Sequence, residues 1–379
     1  VLIGVNEHLG WSHTVNYPDK TDVFKLKMKN KRKYIVDGEE YDLEKHNAKI
    51  SIKLLGIPIK INRKYYKSIY GPTLKNKSGY YSIRTPTLFN VRALEQWWKM
   101  GKAKNFSEFY DAFKMKQIPG FNVGYADKYD TIFYMSNGIL PKRAEGYNWK
   151  GIVPGDTMET LWTEYHDIED LPQVLQPKSG FIYNTNHSPF LSTSEQENPI
   201  KDNFSSNMGF ETYNNNRSTR LKQLIDETNK IDYARFRQIK YDNTLPNRLT
   251  YSWMDINALF DIDPMRYTDI RNILTEIQNW DRKADVNSYG AGAFAILYFK
   301  LGKYYRQLPE PKIFPKSHLI NALRDTKKHM IKFFGTEKVK LGDFQKLVRG
   351  NKEIPIFGLR DVLTAMASVP YKKGLSKVT

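Results

Sequence analysis

The hydrophobic period changes along this chain, and that change constrains the fold more than any single residue does. In Phe24-Lys25-Leu26-Lys27-Met28-Lys29 apolar residues alternate with lysine, which is how a strand with one buried and one solvated face reads. Strands are expected at 23–28 and 34–36, around a charged turn at 30–33, and Asp37-Gly38 marks a further turn. Residues 50–54 and 57–61 alternate about Gly56, and Gly71-Pro72 closes the run. Residues 88–117 take up a helical period, with Asn105 and Glu108 spaced as a capping box that opens a helix over 106–116. Strand signals return at 122–125 and 131–134, joined by a turn at 127–130. Residues 135–215 are rich in Gly, Pro, Asn and Ser and read as long loops, which in a compact domain are usually functional or held by a ligand. From Arg217 onward helices are expected at 217–230, 265–280, 288–307, 317–334 and 358–368, with a frayed tail around Tyr371–Gly374. The chain thus divides into 1–215 and a mainly helical part, 216–379.

Composition removes several kinds of chemistry. There are no cysteines, so disulfide frameworks, thiolate nucleophiles and Cys-ligated zinc are excluded within these residues. The balance of 59 Lys+Arg against 41 Asp+Glu leaves +18, which makes polyanions electrostatically plausible partners. The lysines alternate as a solvated strand face does, and no zinc-finger spacing, RNA-recognition signature or arginine-rich arm accompanies them; nucleic acid is not the expected partner. The most apolar run, 289–299, is interrupted by Lys300 and is far shorter than the roughly 20 residues a bilayer requires. No histidine pair has metalloprotease spacing, no serine sits in a G-x-S-x-G elbow, and no Gly-rich phosphate loop is present.

What the chain does carry is an ordered series of short elements. Gly4-Val5-Asn6-Glu7-His8-Leu9-Gly10-Trp11-Ser12-His13-Thr14-Val15-Asn16 comes first, then Asp19-Lys20-Thr21-Asp22-Val23-Phe24. Gly71-Pro72, Trp97, the run 122–127, residues 132–134 and Leu140-Pro141-Lys142-Arg143 follow, and the series ends on Ser179-Gly180-Phe181-Ile182-Tyr183-Asn184-Thr185-Asn186-His187-Ser188-Pro189. In this order, over residues 2–225, the chain resembles the penicillin acylase family of N-terminal-nucleophile hydrolases. Beyond Arg217 the resemblance thins, with Trp280-Asp281 a weaker echo.

The resemblance implies an α+β fold, the four-layer αββα sandwich, incomplete here and followed by a mainly helical part. It implies an amide hydrolase acting on a small N-acyl substrate: a β-lactam side chain, an N-acyl-homoserine lactone or an acyl peptide. The nucleophile of such enzymes is an N-terminal Ser, sometimes Thr or Cys, exposed by autoproteolysis; its own α-amino group, titrating near pH 8, serves as base. Val1 has no nucleophilic side chain. The chain therefore reads as the central part of a large chain whose nucleophile lies outside it, inactive alone, with a small chain from the same precursor as partner and the periplasm or exterior as location. By resemblance the oxyanion donors are the backbone N–H of Val15 and the side-chain amide of Asn186, with Arg217 orienting that amide. A core valine, an Asx-turn asparagine and a helix-opening surface arginine are the bland readings of the same residues. His13 reads as a packing or hydrogen-bonding group. Trp97 and Phe121 match positions lining the acyl pocket, or are core aromatics. Asp19 and Asp22 match positions of a structural calcium site, whose remaining ligands would come from the small chain and from a later loop, where Asp202 is the candidate; a solvated turn is the bland reading, and no organic cofactor is expected. A second reading is a non-catalytic basic protein on the same scaffold, using +18 to hold a polyanion.

Overall fold

A computed structural model describes every residue except Val1, Phe89, Asn229 and Thr379. Val1, on which the expectation about the nucleophile turns, thus lies outside the described residues. The chain forms two compact units, Val1–Thr212 and Tyr213–Thr379.

The first unit is built on two sheets. One is antiparallel, in the order Ile3–Val5, Leu9–Thr14, Gly120–Asp127, Ile132–Gly138, Gln173–Leu175. Leu9 and Trp11 alternate with half-buried residues along their strand, and the buried ones join Val123, Tyr125 and Phe133 in one apolar layer. The helices Ala93–Lys102 and Phe106–Phe113 cover that layer with Met100, Phe109 and Phe113. The second helix starts where the capping pair predicts: Asn105 accepts a bond from Glu108 N–H (2.9 Å), and the Glu108 carboxylate accepts from Lys104 N–H (3.0 Å). It ends at Phe113, three residues short of the expectation.

The second sheet runs Glu39–Asp42, Lys33–Val36, Asp22–Met28, Gly79–Arg84, Gly71–Asn76, Ile57–Ser68, Glu44–Leu54, with Ile152–Gly155 parallel to Asp22–Met28. Its core gathers Phe24, Leu26, Tyr34, Tyr70, Trp149 and Trp162. Residues 135–212 are mostly irregular, as expected; short 3-10 turns, many capped by Ser, Thr or Asp, and two brief strands punctuate them.

The second unit is mainly helical: Asn216–Asp226, Tyr233–Lys240, Arg271–Gln278, Tyr289–Tyr305 and Lys316–Phe334 surround a core that includes Leu274, Phe294, Leu319 and Leu323. Among the described residues, no helix is long and apolar enough to cross a membrane. The helix expected at 358–368 is absent. Gly358 and Asp361 have positive φ (92° and 63°), so the segment turns twice while Leu359 and Val362 still reach the core. Nor is the tail frayed: Ser376–Val378 pairs parallel to Gln345–Arg349, which also forms a hairpin with Lys352–Pro355, and together with Val369–Pro370 they make a four-stranded sheet.

Candidate active site

The Leu9–Thr14 strand ends beside Gly120–Asp127, and just past that end the chain turns at Val15 and Asn16. Asn16 fixes the turn from three directions. Its Nδ2 donates to Ser136 Oγ (3.1 Å) and to the Asn137 carbonyl (2.9 Å), while its Oδ1 accepts from Phe121 N–H (2.7 Å). Phe121 is held at φ 114°, a conformation that non-glycine residues rarely adopt. Gly120, just before it, leaves room for Lys20: a Cβ there would meet Lys20 Nζ at 2.7 Å. Burial lowers the Lys20 pKa against the opposing pull of Glu211, and burial likewise raises that of Glu211, whose carboxylate accepts from Tyr17 N–H.

The loop 179–189 arrives at the same place. Asn186 stands in the left-handed region (φ 62°), and its Nδ2 donates to the Val15 carbonyl (2.9 Å). The two residues assigned by resemblance to the oxyanion site, 171 positions apart, are therefore in direct contact. Val15 is exposed, and its N–H has no acceptor among the described residues. Asn184 organises the surroundings. Its Oδ1 accepts from Thr14 Oγ1 (2.5 Å), Asn122 Nδ2 (3.2 Å) and Asn186 N–H (2.8 Å). Buried Tyr134 donates to Asn122 Oδ1 (2.8 Å) and accepts from Asn184 Nδ2 (3.4 Å). His187 Nδ1 accepts from Thr185 N–H (3.1 Å), so Nε2 carries the proton that goes to the Leu191 carbonyl (3.0 Å) and braces the loop from behind. The sequence assigns no role to Asn122, Tyr134 or Asn184, although all three stand inside the motifs that carry the resemblance; for Asn184 the Asn-x-Asn spacing is the available signal.

His13 points away from this network into an aromatic cluster. Trp97 Nε1 can only donate, so His13 Nε2 accepts (3.0 Å), and Nδ1 carries the proton toward the Asn122 carbonyl (3.2 Å). Phe121 stacks on the imidazole with centroids 5.2 Å apart. Burial pushes the His13 pKa down to about 4, opposed by the bond to Asn122. It is a neutral positioning group here. Trp97 and Phe121 are both half-buried and flank the same ring.

Asp19 and Asp22 are brought together, around a guanidinium. Arg143 Nε donates to Asp22 Oδ2 (3.0 Å), which also accepts from Trp162 Nε1 (2.7 Å). Arg143 Nη2 lies 3.3 Å from Asp19 Oδ1, an ion-pair distance without hydrogen-bond alignment, and Nη1 donates to the Asn207 carbonyl. The Arg143 and Asp22 side chains are fully buried. Desolvation raises the Asp22 pKa, and Arg143 opposes the rise. Calcium takes 6–8 oxygens. Here one buried oxygen, Asp22 Oδ1, lacks a donor, a cation already adjoins both carboxylates, and Asp202 is exposed on the turn Lys201–Asn203. Among the described residues no three His, Cys, Asp or Glu side chains form a metal-binding group. Among the described residues the partner of both carboxylates is a guanidinium.

Arg217 lies in the second unit, in the first turn of Asn216–Asp226, where its Nε donates to Asp361 Oδ1 (3.0 Å). Burial raises the Asp361 pKa and Arg217 opposes it.

The sequence pattern of the penicillin amidase family matches residues 1–368, and the chain belongs to that family. It is similar to an acyl-homoserine lactone acylase PvdQ of Pseudomonas fluorescens, at 22% identity over the whole of this chain and 54% of that protein. Penicillin G acylase of Escherichia coli is 25% identical over 61% of the chain and 26% of its own length. Against the first of these relatives the chain spans about half the length. A solved structure of a thermostable penicillin G acylase from Alcaligenes faecalis shares the fold, with a TM-score of 0.62 at 14% identity, covering 99% of this chain and 76% of that one. The expected α+β class is thereby met.

Proposed function

We propose that this chain forms the oxyanion half of an acylase that cleaves the amide of an N-acylated small molecule, of the class named by its relatives, acyl-homoserine lactones or penicillin G. In this reading an N-terminal Ser, contributed by a part of the protein outside this chain and freed by autoproteolysis, attacks the amide carbon. Its hydroxyl proton passes to its own α-amino group and from there to the leaving amine; water then hydrolyses the acyl-enzyme. The tetrahedral oxyanion is met by Val15 N–H and Asn186 Nδ2. The observation that carries this reading is the Asn186 Nδ2 bond to the Val15 carbonyl (2.9 Å). That bond holds the Asn186 amide against the Val15 peptide, so the two groups assigned to the oxyanion site stand side by side. Trp97 and Phe121 would border the acyl group. Arg217 as an orienting group, a small-chain partner and a periplasmic or secreted location belong to the same proposal.

The test uses the complete mature protein. Asn186→Ala is expected to lower kcat by about 10²–10³ with little change in KM for the hydrolysed amide. An unchanged kcat would remove Asn186 from the oxyanion site.

A further inference from the structure

The hairpin made by Glu44–Leu54 and Ile57–Ser68 leaves its sheet. Only Tyr66, Lys67 and Ser68 pair with the next strand, Gly71–Asn76, so from Asn47 outward the two strands pair only with each other. Eight residues of ribbon at about 3.4 Å each carry the tip roughly 25 Å beyond the sheet. Leu55 and Gly56 close it with φ of 50° and 84°, the left-handed pair of a tight two-residue hairpin turn.

The two faces differ in kind. The register sets Ile50 opposite Ile61, Ile52 opposite Ile59 and Leu54 opposite Ile57, so six aliphatic side chains share one face and Leu55 extends it at the tip. These groups meet water: Leu54 is 58% exposed, Leu55 97% and Ile57 65%. Lys45, Lys49, Lys53, Lys60 and Lys64 lie on the other face, Arg63 sits beside Ala48, and no carboxylate occurs from 45 to 64. None of these six cations has an ion pair among the described residues; Glu44, at the base, is engaged by His46 (3.1 Å) and Lys67 (3.9 Å). Lysines alone would be explained as guards of an exposed strand edge. That role does not account for seven contiguous aliphatic groups on a two-stranded ribbon, which is marginally stable in water without a cover.

We propose that this hairpin docks the protein on an anionic lipid surface, with the aliphatic tip in the headgroup and upper acyl region and the lysines on the phosphates. Two copies meeting stripe to stripe, or a neutral apolar segment, would cover the aliphatic face and leave six cations without partners. An anionic bilayer satisfies both faces, because a ribbon two strands wide is narrow enough for lysine stems to reach around it. The tip residues 54–57 extend past Lys53, which stands opposite Pro58, by a depth comparable to the roughly 5–10 Å that interfacial segments enter.

The complete mature protein is to be sedimented with vesicles of phosphatidylcholine, alone or mixed with phosphatidylglycerol. Binding is expected to the mixed vesicles only. It should weaken on the order of tenfold or more in L54S/L55S/I57S and again in K49Q/K53Q/K60Q, with amide hydrolysis and thermal midpoint unchanged in both. In Leu55→Trp the emission of the introduced indole should shift to the blue on adding the mixed vesicles and not before. No binding, equal binding to both vesicles, or an indole emission already blue-shifted without lipid would each overturn the proposal. So would a self-associated form that the serine variant dissolves, since the occupant would then be a second copy.

Discussion

His13 is held between a donor and an acceptor, and that pairing has a measurable consequence. Trp97 donates to one ring nitrogen and the Asn122 carbonyl accepts from the other, so a second proton would displace Trp97 from a buried site. The folded pKa is about 4 against an unfolded value of 6.5. Below 6.5 the unfolded chain takes up a proton that the native one refuses. The stabilisation is therefore complete above pH 6.5 and is lost as pH falls toward 4, by about 3 kcal/mol. Urea unfolding across this window should show a steeper loss in the native sequence than in His13→Phe by about that amount; parallel curves would disprove the assignment. The sequence marked His13 as a packing or hydrogen-bonding group because it stands just before Val15 in the motif that the resemblance assigns to the oxyanion site; the structure puts it on the buried face of the strand Leu9–Thr14. It could not supply Asn184, whose partners Thr14 and Asn122 are 170 and 62 residues away. A hydrogen bond between polar residues so far apart leaves no periodic trace, whereas a motif can be recognised without its geometry.

Elements were legible where one physical signal dominated. Alternation located strands such as Asp22–Met28, Glu44–Leu54 and Gly120–Asp127 but not Leu9–Thr14, Gly71–Asn76 or Gly79–Arg84, and Asn105 located a helix start. The segment 358–368 failed because its apolar residues occur at helical spacing while Gly358 and Asp361 demand left-handed turns, and backbone conformation overrides apolar period. The sheet at 345–378 failed because its strands are short and the pairing that joins its two halves, Gln345–Arg349 with Ser376–Val378, spans more than 20 residues. The long helix Tyr289–Tyr305 gives a direct test of how packing and propensity compete. Its glycines look alike in sequence, yet a Cβ at Gly292 would lie 2.0 Å from the Val339 carbonyl oxygen, whereas one at Gly302 meets nothing within 4 Å. Gly302→Ala is expected to stabilise by about 0.5–1 kcal/mol through helix propensity alone. Gly292→Ala should destabilise by about 1–3 kcal/mol or more, because backbone must move to admit the methyl group. Denaturant midpoints of the two variants shifting in the same direction would show that the close approach of helix and loop is not as described.

At the scale of the whole molecule, the question is what holds the loops of the first unit in place without a regular scaffold. Arg143 reaches Asp22 on a strand, Asp19 before that strand, and the Asn207 carbonyl in a distant loop, and it stacks near Trp149 with its carbon 5.4 Å from the ring centre. One buried cation thereby ties segments that a metal ion could otherwise collect. Buried charges of this kind contribute little over an apolar replacement of the whole set, but removing one partner strands the other. Arg143→Met is expected to cost about 3–5 kcal/mol, much of it recovered in Arg143→Met/Asp22→Asn, where the stranded charge is gone. If the guanidinium alone holds this cluster, it is covalently part of the chain and chelation has nothing to withdraw. The thermal midpoint of the complete protein should be the same with and without a calcium chelator, and added calcium should not rescue Arg143→Met. A midpoint that falls on chelation and returns with calcium would mean that Asp19 and Asp22 bind the ion that the resemblance implies, with Arg143 beside it and not in its place.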